Sequence, residues 1–388
     1  MVHKNIRLLS VFNFLIGFTF FAPLAIIYFT KVSGSYTLGT SIFGIVMLSA
    51  AFFEIPTGII SDKVGRRHTI ILGSWARVLA FIFYAIGQAY WILLIGAIFE
   101  GISRSFYSGN NDALLYDTLA DENNTSKYHE YLGKTSSMEF IALAISSVIG
   151  GFVAIFSFPI VMWSTVVSQF ALLIISYGFI DPKTKSANAT NIFQHLKEAI
   201  SIFRTNEKLR LLNIATILDN GFSELAYQFR GAFFITVWPL WAIGMASVIS
   251  NITASIGFNI SGKIINKVKA EAVAFYRSVL DRIINIFSLI FPNIVSPALM
   301  SSTSLLYGLG TVAENELRQR EYSDEQRATM DSFVSLGRSI SASIMTVVLG
   351  GVADLYGPRN ALLMMTLLAF SVTFLYWKIL REHLIKAR

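Results

Sequence analysis

Cysteine is absent from the 388 residues, which excludes disulfides, thiolate nucleophiles and zinc–thiolate centres. Charge is scarce as well. Asp, Glu, Lys and Arg make up 14% of the chain, too little to cover a water-soluble protein of this length. There is no Gly-x-x-x-x-Gly-Lys-Ser/Thr loop, so ATP is not expected to power the chain directly. The five histidines show no ligand spacing, and neither a metal nor a cofactor is expected. Neither paired catalytic acids nor a Ser/His set can be found, so no enzyme is expected. The period-two alternation of a membrane barrel is missing too.

Apolar residues fill the chain instead: 54% are hydrophobic, and the mean hydropathy is +0.58. Runs long enough to cross a hydrocarbon layer of about 30 Å predict spans near 8–29, 38–60, 69–87, 91–116, 133–155, 159–180, 209–235, 239–264, 271–290, 294–316, 328–352 and 359–378. The expected fold class is an all-α polytopic membrane protein of twelve transmembrane helices. The first run follows His3, Lys4 and Arg7 without a small-residue cleavage site, and it reads as the first span, not as a removed leader.

Charge is distributed unevenly along these spans. The second loop holds Lys63, Arg66 and Arg67; the sixth holds Lys183, Lys185, Lys197, Arg204, Lys208 and Arg210; the tenth holds Arg318, Arg320 and Arg327. Odd-numbered loops carry little beyond Lys31 and Arg359. Lysine and arginine collect in cytoplasmic loops. Even loops and both termini are therefore expected in the cytoplasm, in a plasma membrane of bacterial inner-membrane type. The net charge of +7 then needs no nucleic-acid partner.

The sixth loop opens with "DPKTKSANATN" and continues into Ile192, Leu196, Ala199, Ile200 and Phe203 at helical spacing, an amphipathic helix on the membrane surface. It divides the chain into a bundle at 1–180, a linker at 181–208 and a second bundle at 209–388. The two halves look repeated. "GIISDKV" at Gly58 returns as "GKIINKV" at Gly262, 204 positions on. The Gly150–Gly151 pair returns as Gly350–Gly351, 200 positions on. Two six-helix bundles in a parallel pseudo-repeat are a plan used by carriers that work by alternating access.

"GIISDKVGRR" resembles the signature loop of the major facilitator superfamily, with Gly58, Asp62, Gly65, Arg66 and Arg67 on the pattern. "GNNDALLYD", ending at Asp117, is similar to the matching segment of many bacterial members. The resemblance implies a latch in which Arg66 or Arg67 reaches Asp117 or Asp112. Gly65 suits the tight reversal, and Gly58 is expected to let helices approach closely. Asn266 in place of Asp62 weakens any copy in the second half. The alternative is an ordinary positive-inside turn. Two departures weigh against antiport: Ala97 stands four residues before Gly101 where many drug/proton antiporters carry Arg, and Gly150–Gly151 lacks the proline of their fifth-span motif.

An ionisable side chain in hydrocarbon costs about 2.5 kcal/mol or more, so it faces a cavity or a partner. Thr216, Asp219, Asn220, Ser223, Glu224, Tyr227 and Gln228 form one polar stripe on the seventh span. It is either a wet wall or a seam of helix–helix hydrogen bonds. On the fourth span Glu100 and Arg104, one turn apart, either neutralise each other or respond to proton or substrate. Asn251 on the eighth span and Tyr307, Thr311 and Glu314 on the tenth mark milder faces. Arg77 and Arg277 are expected to snorkel, with Arg277 and Asp281 as an i, i+4 pair; Arg282 has no account. The phenylalanines of the first span, Phe12 among them, are expected to face lipid more than a cavity.

The reading is a monomeric secondary active transporter that takes a small-molecule substrate and H+ as coupling ion within the lipid bilayer. It exports amphiphilic or drug-like molecules. The alternatives are uptake of a sugar, organic acid or other nutrient, and, more remotely, an intramembrane enzyme or receptor. The absence of cysteine makes the topology directly testable. Ser186→Cys should react with a membrane-impermeant maleimide only from the cytoplasmic side, and Ser35→Cys only from outside; the opposite pattern inverts the assignment.

Overall fold

The computed structural model describes residues 2–121, 123–182, 203, 206–322 and 327–386. The expected surface helix around Ile192–Ile200 lies outside the described residues. Among the described residues there is no strand. The α-helices are α1 (Val2–Gly17), α2 (Ala25–Ser33), α3 (Tyr36–Val64), α4 (Arg66–Ile86), α5 (Tyr90–Tyr107), α6 (Asn110–Ala120), α7 (Tyr128–Phe156), α8 (Phe158–Ser176), α9 (Glu207–Phe234), α10 (Ile243–Val268), α11 (Ala270–Ile290), α12 (Ser296–Ser302), α13 (Ser304–Gln319), α14 (Arg327–Leu368) and α15 (Phe370–Lys386). They form twelve rods. α1–α2, α5–α6 and α12–α13 are broken rods; α14 changes rod at Gly357, whose φ is +82° ahead of Pro358, and its second part continues into α15 as the last rod. α3 continues through Pro56. Among the described residues, seven segments meet length and hydropathy criteria for crossing a membrane by themselves; one of them, Met330–Ile385, contains two rods.

The chain divides into two compact units. The first comprises Met1–Gly34, Ser41–Thr190 and Leu240–Gly244; the second comprises Ser35–Thr40, Asn191–Pro239 and Met245–Arg388. The two short segments that leave their own half, at the starts of α3 and α10, lie about 204 positions apart, the spacing of the sequence repeat.

In the first unit, Ile6, Leu9 and Phe12 of α1 meet Ile70 of α4, Leu114, Leu115 and Leu119 of α6, and Leu172 of α8. Phe12 is fully buried, its ring edge-on to Tyr107 at 5.3 Å and to Phe179 at 5.5 Å. This corrects the lipid-facing expectation for Phe12: the helix turns that face inward. Gly150 of α7 packs against the Phe20 carbonyl, and Gly151 has room for no Cβ, since one would stand 2.6 Å from the Trp241 carbonyl. In the second unit a Cβ on Gly350 would strike Thr37. One glycine of each repeated pair, Gly151 and Gly350, thus seats a short segment within its own unit by close backbone approach. Ser49 donates to the Ile98 carbonyl at 2.9 Å in the first unit, and Thr253 to the Ser301 carbonyl at 3.4 Å in the second. Gly58 behaves differently from expectation: a Cβ there would meet nothing within 4 Å, and the same holds at Gly262.

Both units make the same reversal before the helix that follows the repeated motif. Gly65 has φ 89°, ψ 164°, and Lys269, 204 positions on, has φ 75°, ψ 150°. That region is open to glycine and costs a side-chain-bearing residue about 1–3 kcal/mol. Asn206 caps α9 by accepting from the Leu209 N–H at 3.0 Å. Lys269→Gly should raise the melting temperature of the purified protein. Gly65→Lys should lower it, because its Cβ would enter the same region 3.2 Å from the Asp181 carboxylate. Equal melting temperatures would contradict the strain.

Candidate functional site

Among the described residues, buried ion pairs lie within the rods of each unit. The larger group is in the second unit. Asp219 of α9 is 3% exposed. One of its oxygens accepts from Arg277 Nη2 at 2.6 Å, and the other from Arg282 Nη2 at 2.6 Å, both from α11. Arg277 also donates to Glu314 of α13, and its guanidinium lies over the Tyr376 ring of α15, 5.4 Å from the centroid. Arg282 donates to Asp281, which takes a further bond from Asn285 Nδ2 at 3.0 Å. Three helices thus bring together three carboxylates and two guanidinium groups, almost wholly buried, and a fourth adds the tyrosine ring.

Helical spacing explains the convergence. Asp219 is on the same α9 face as buried Thr216, while Asn220, Glu224 and Gln228 follow at i+4 steps along another line. The polar stripe therefore divides. Asn220 Nδ2 bonds back to the Thr216 carbonyl at 2.9 Å, and Gln228 Nε2 bonds Glu224 at 2.9 Å on a half-buried surface. Tyr227 is exposed, with the Arg230 guanidinium 4.2 Å above its ring. Arg230 donates to Ser250 Oγ and to the Met300 carbonyl, both at 3.0 Å. Asn251 is half-buried, and its Nδ2 has no hydrogen-bond partner among the described residues.

Three expectations are corrected here. Arg277 does not snorkel; it is 5% exposed and turned into the unit. Its partners are Asp219 and Glu314, whereas Asp281 pairs with Arg282. Glu314 leaves the mild face of Tyr307 and Thr311 for the buried cluster. Arg282, for which the sequence offered no role, is one arm of that cluster. The i, i+4 rule pointed Arg277 at Asp281 because a single helix was in view; tertiary partners displaced it.

In the first unit Glu100 of α5 is 8% exposed. It accepts from the Tyr84 hydroxyl at 2.8 Å and from Arg104 at 2.7 and 3.1 Å. Arg104 is half exposed. Arg77 of α4 is not at an interface but buried, donating to Gln169 Oε1 at 2.7 Å and to the Ile16 carbonyl at 2.6 Å. A side-chain amide oxygen and one main-chain carbonyl just before a helix break thus take the place of a carboxylate.

At the end of this unit that bears Gly65, Arg66 Nε lies 3.5 Å from Asp117 Oδ2, and Arg66 Nη1 donates to Ser61 Oγ at 3.0 Å. Ser61 and the Arg66 carbonyl are tied together through Asn110. The Arg67 N–H is capped by Asp181 at 2.9 Å, while its side chain reaches the Tyr177 carbonyl at 3.1 Å. The Asp62 side chain lies outside the described residues. Asp181 was missed in the sequence because its partner is a backbone amide, which no charge pattern reveals. Among the described residues no group of His, Asp or Glu could hold a metal.

Helices of this length and hydropathy, arranged as two six-rod units with ionic clusters inside, define a multi-pass membrane protein. The Major Facilitator Superfamily profile matches residues 8–315, and the chain belongs to that family. Uncharacterized transporters are similar in sequence. One from Buchnera aphidicola subsp. Acyrthosiphon pisum is 28% identical over 172 residues, 44% of this chain and 43% of that protein. An MFS-type transporter from Methanocaldococcus jannaschii is 25% identical over 155 residues, 39% of each. The chain thus matches less than half the length of these relatives. Among solved structures, the nucleoside transporter NupG superposes with a TM-score of 0.80 at 14% identity, over 97% of this chain and 98% of that one. A D-xylose–proton symporter superposes with a TM-score of 0.74 at 12% identity, over 97% of each. At these identities the likeness is one of fold.

Removing one member of a buried ion pair leaves an uncompensated charge and costs about 3–5 kcal/mol. Asp219→Ala should therefore lower the melting temperature sharply, and Asp219→Asn with Arg282→Met should recover much of the loss. A single variant as stable as the parent would show that the cluster is hydrated.

Proposed function

We propose that the chain is a secondary active transporter that works by alternating access and exchanges protons for a small amphiphilic or drug-like molecule, which it exports. The buried cluster of the second unit carries this reading. It has three carboxylates against two guanidinium groups. With all five ionised, a net negative charge stands in a low-dielectric interior, where an unpaired ion costs several kcal/mol. A single proton removes the imbalance.

Glu314 is the proton carrier in this reading. Asp219 is held by two guanidinium groups and Glu314 by one. Asp281 also has one, but its side chain is 19% exposed and gains a bond from Asn285. Protonation of Glu314 frees Arg277 to turn wholly to Asp219. The packing of α9, α11 and α13 then depends on whether the proton is present, which is the differential interaction a proton needs to shift a conformational equilibrium. Substrate contacts belong to half-buried Glu224, Gln228 and Asn251 and exposed Tyr227, with Asn220 beside them, in the second unit, and to buried Glu100 with half-exposed Arg104 in the first. Arg66 and Asp117, with Gly58, Asp62, Gly65 and Arg67, act as the latch. The basic end of the rods faces the cytoplasm, with both termini there, in a plasma membrane. The working unit is a monomer.

Uptake by symport is the second reading, favoured by the polarity of Glu224, Gln228 and Asn251, which suits a hydrophilic solute. Proteoliposomes with an imposed pH gradient, inside acid or inside alkaline, and a panel of cationic dyes, nucleosides and sugars separate the two. Export predicts dye accumulation in inside-out vesicles that are acid inside. Glu314→Gln should abolish gradient-driven accumulation by at least about tenfold and keep substrate exchange, since it removes the proton and not the binding surface. Normal gradient-driven transport by Glu314→Gln would overturn the assignment of the proton.

A further inference from the structure

Among the described residues, arginines inside the rods of the second unit are matched with oxygen atoms, with one exception. Arg277, Arg282 and Arg318 each meet a carboxylate. Arg230 donates to Ser250 Oγ and the Met300 carbonyl, and Arg359 to the carbonyls of Leu289 and Ile290. The exception is Arg338 of α14. Among the described residues it makes no hydrogen bond, ion pair or ring contact, and its Nε is buried without an acceptor. It lies inside the apolar segment that starts at Met330, about 12 Å along at 1.5 Å per residue. A guanidinium at that depth keeps its charge and needs oxygen atoms around it.

The acids whose fields reach Arg338 are already engaged. Glu314 is taken by Arg277, and Asp331 by Arg318 and by Gln319 Nε2 at 3.1 Å. Nor is α14 free to turn toward another acid, because it rests on α9 by close approach. A Cβ on Gly337 would stand 2.6 Å from Ile217 Cδ1, and one on Gly221 would stand 2.6 Å from Ser341 Oγ. Ile217, Asn220, Gly221 and Glu224 follow at helical spacing on that side of α9, so Arg338 is at the edge of the seam that carries Asn220 and Glu224. Tyr307 of α13 is exposed and lies within the fields of both Glu224 and Arg338. Glu224 accepts from Gln228 at 2.9 Å and not from Arg338. This face therefore holds an unmatched cation beside an exposed phenol, at a depth where hydrocarbon cannot satisfy it.

We propose that Arg338 anchors an oxyanion of the transported molecule, a carboxylate or a phosphate, on the face that α9, α13 and α14 share. A planar guanidinium presents paired N–H donors that match either group with two parallel bonds. The ligand supplies the acceptors that the protein withholds, and the Tyr307 ring borders the apolar body of an amphiphile. An acid of the chain's own would compete for the same donors, so the missing partner is what such a site requires. The proposal rests on the carrier reading and narrows its cargo to amphiphiles with an anionic head. It draws on none of the side chains assigned to the proton.

The lack of cysteine provides a test that does not require the natural cargo. Full-length Tyr307→Cys in phosphatidylcholine nanodiscs is treated with an anionic reagent, sulfonatoethyl methanethiosulfonate, and with its cationic trimethylammonioethyl analogue. The ratio of the two rates, anionic over cationic, should fall about three- to tenfold when Arg338→Gln is added, the effect of one charge in a half-hydrated site. Arg338→Lys should keep most of the ratio. Naphthoate and naphthyl phosphate should protect the introduced thiol at about tenfold lower concentration than neutral naphthamide, and Arg338→Gln should abolish that difference. Arg338→Gln by itself should melt no lower than the parent, because it breaks no ion pair. An unchanged rate ratio, equal protection by acid and amide or by neither, or a lowered melting temperature overturns the anchor. So does loss of the anionic preference when about a third of the lipid is phosphatidylglycerol, which would put a lipid headgroup at Arg338 in place of cargo. Proteoliposomes separate this proposal from the carrier reading. Anion-selective protection with no flux of any of the three naphthyl probes counts against the carrier alone, whereas naphthamide carried as fast as naphthoate counts against the anchor alone.

Discussion

Arg277 is the side chain around which the second unit is organised. A guanidinium cannot lose its proton within a membrane, and it cannot remain there without oxygen atoms around it. Placing it at the middle of α11 compels α9 to bring Asp219 and α13 to bring Glu314, and it compels α15 to offer an aromatic hydroxyl and ring face. Hydrophobic attraction between helices is weak in lipid, where every apolar face is already satisfied. The helices that share Arg277 are held in register by a demand that only particular partners can meet. Arg282 extends the same demand by one further turn and makes Asp219 the bridge.

The first unit meets a similar demand in a different way. Arg77 is as buried as Arg277 but is satisfied by Gln169 and by the carbonyl of Ile16, just before α1 breaks. A helix end has carbonyls to spare, so the broken rod solvates the cation without a carboxylate. Glu100 is left to Tyr84 and to Arg104, which is half exposed. One unit therefore closes its ions among themselves, and the other leaves one of them at an open surface. The division of labour proposed above, protons in the second unit and substrate contact at Arg104 and along α9, follows from that asymmetry.

The rods were legible because hydropathy and length are summed over some twenty residues, and no single contact can overturn them. The repeat was legible too, although its matched letters concealed two different roles. Gly150, Gly151 and Gly350 mark close backbone contacts, whereas Gly58 and Gly262 face open space. Side-chain partners were harder to read. Helical spacing reports which residues share a face, and it joined Asp219 to Glu224 and Gln228 as a single wall. It cannot report that the wall is wide enough for a neighbouring helix to claim one edge, which is what α11 does. Arg282 was opaque for the same reason, and so was Asp181, whose partner is a main-chain N–H.

Lys269 shows how a duplicated turn can change its chemistry without changing its shape. The backbone conformation there is costly for lysine and free for glycine, yet it matches that of Gly65 within about 15° in each angle. Geometry inherited through a repeat outlasts the residue that suited it, provided that surrounding contacts over-determine the turn. Glu271, with Arg320 and His383 beside it, supplies such contacts. Once the acid stands at the helix start, its favourable interaction with the first-turn N–H groups offsets part of the strain that the lysine introduces. A basic helix start such as Arg66–Arg67 lacks that help and needs acids from other rods, Asp117 and Asp181, to cap it. The exchange of signs is therefore consistent at the level of each helix: whichever charge the turn carries, neighbouring rods provide the other.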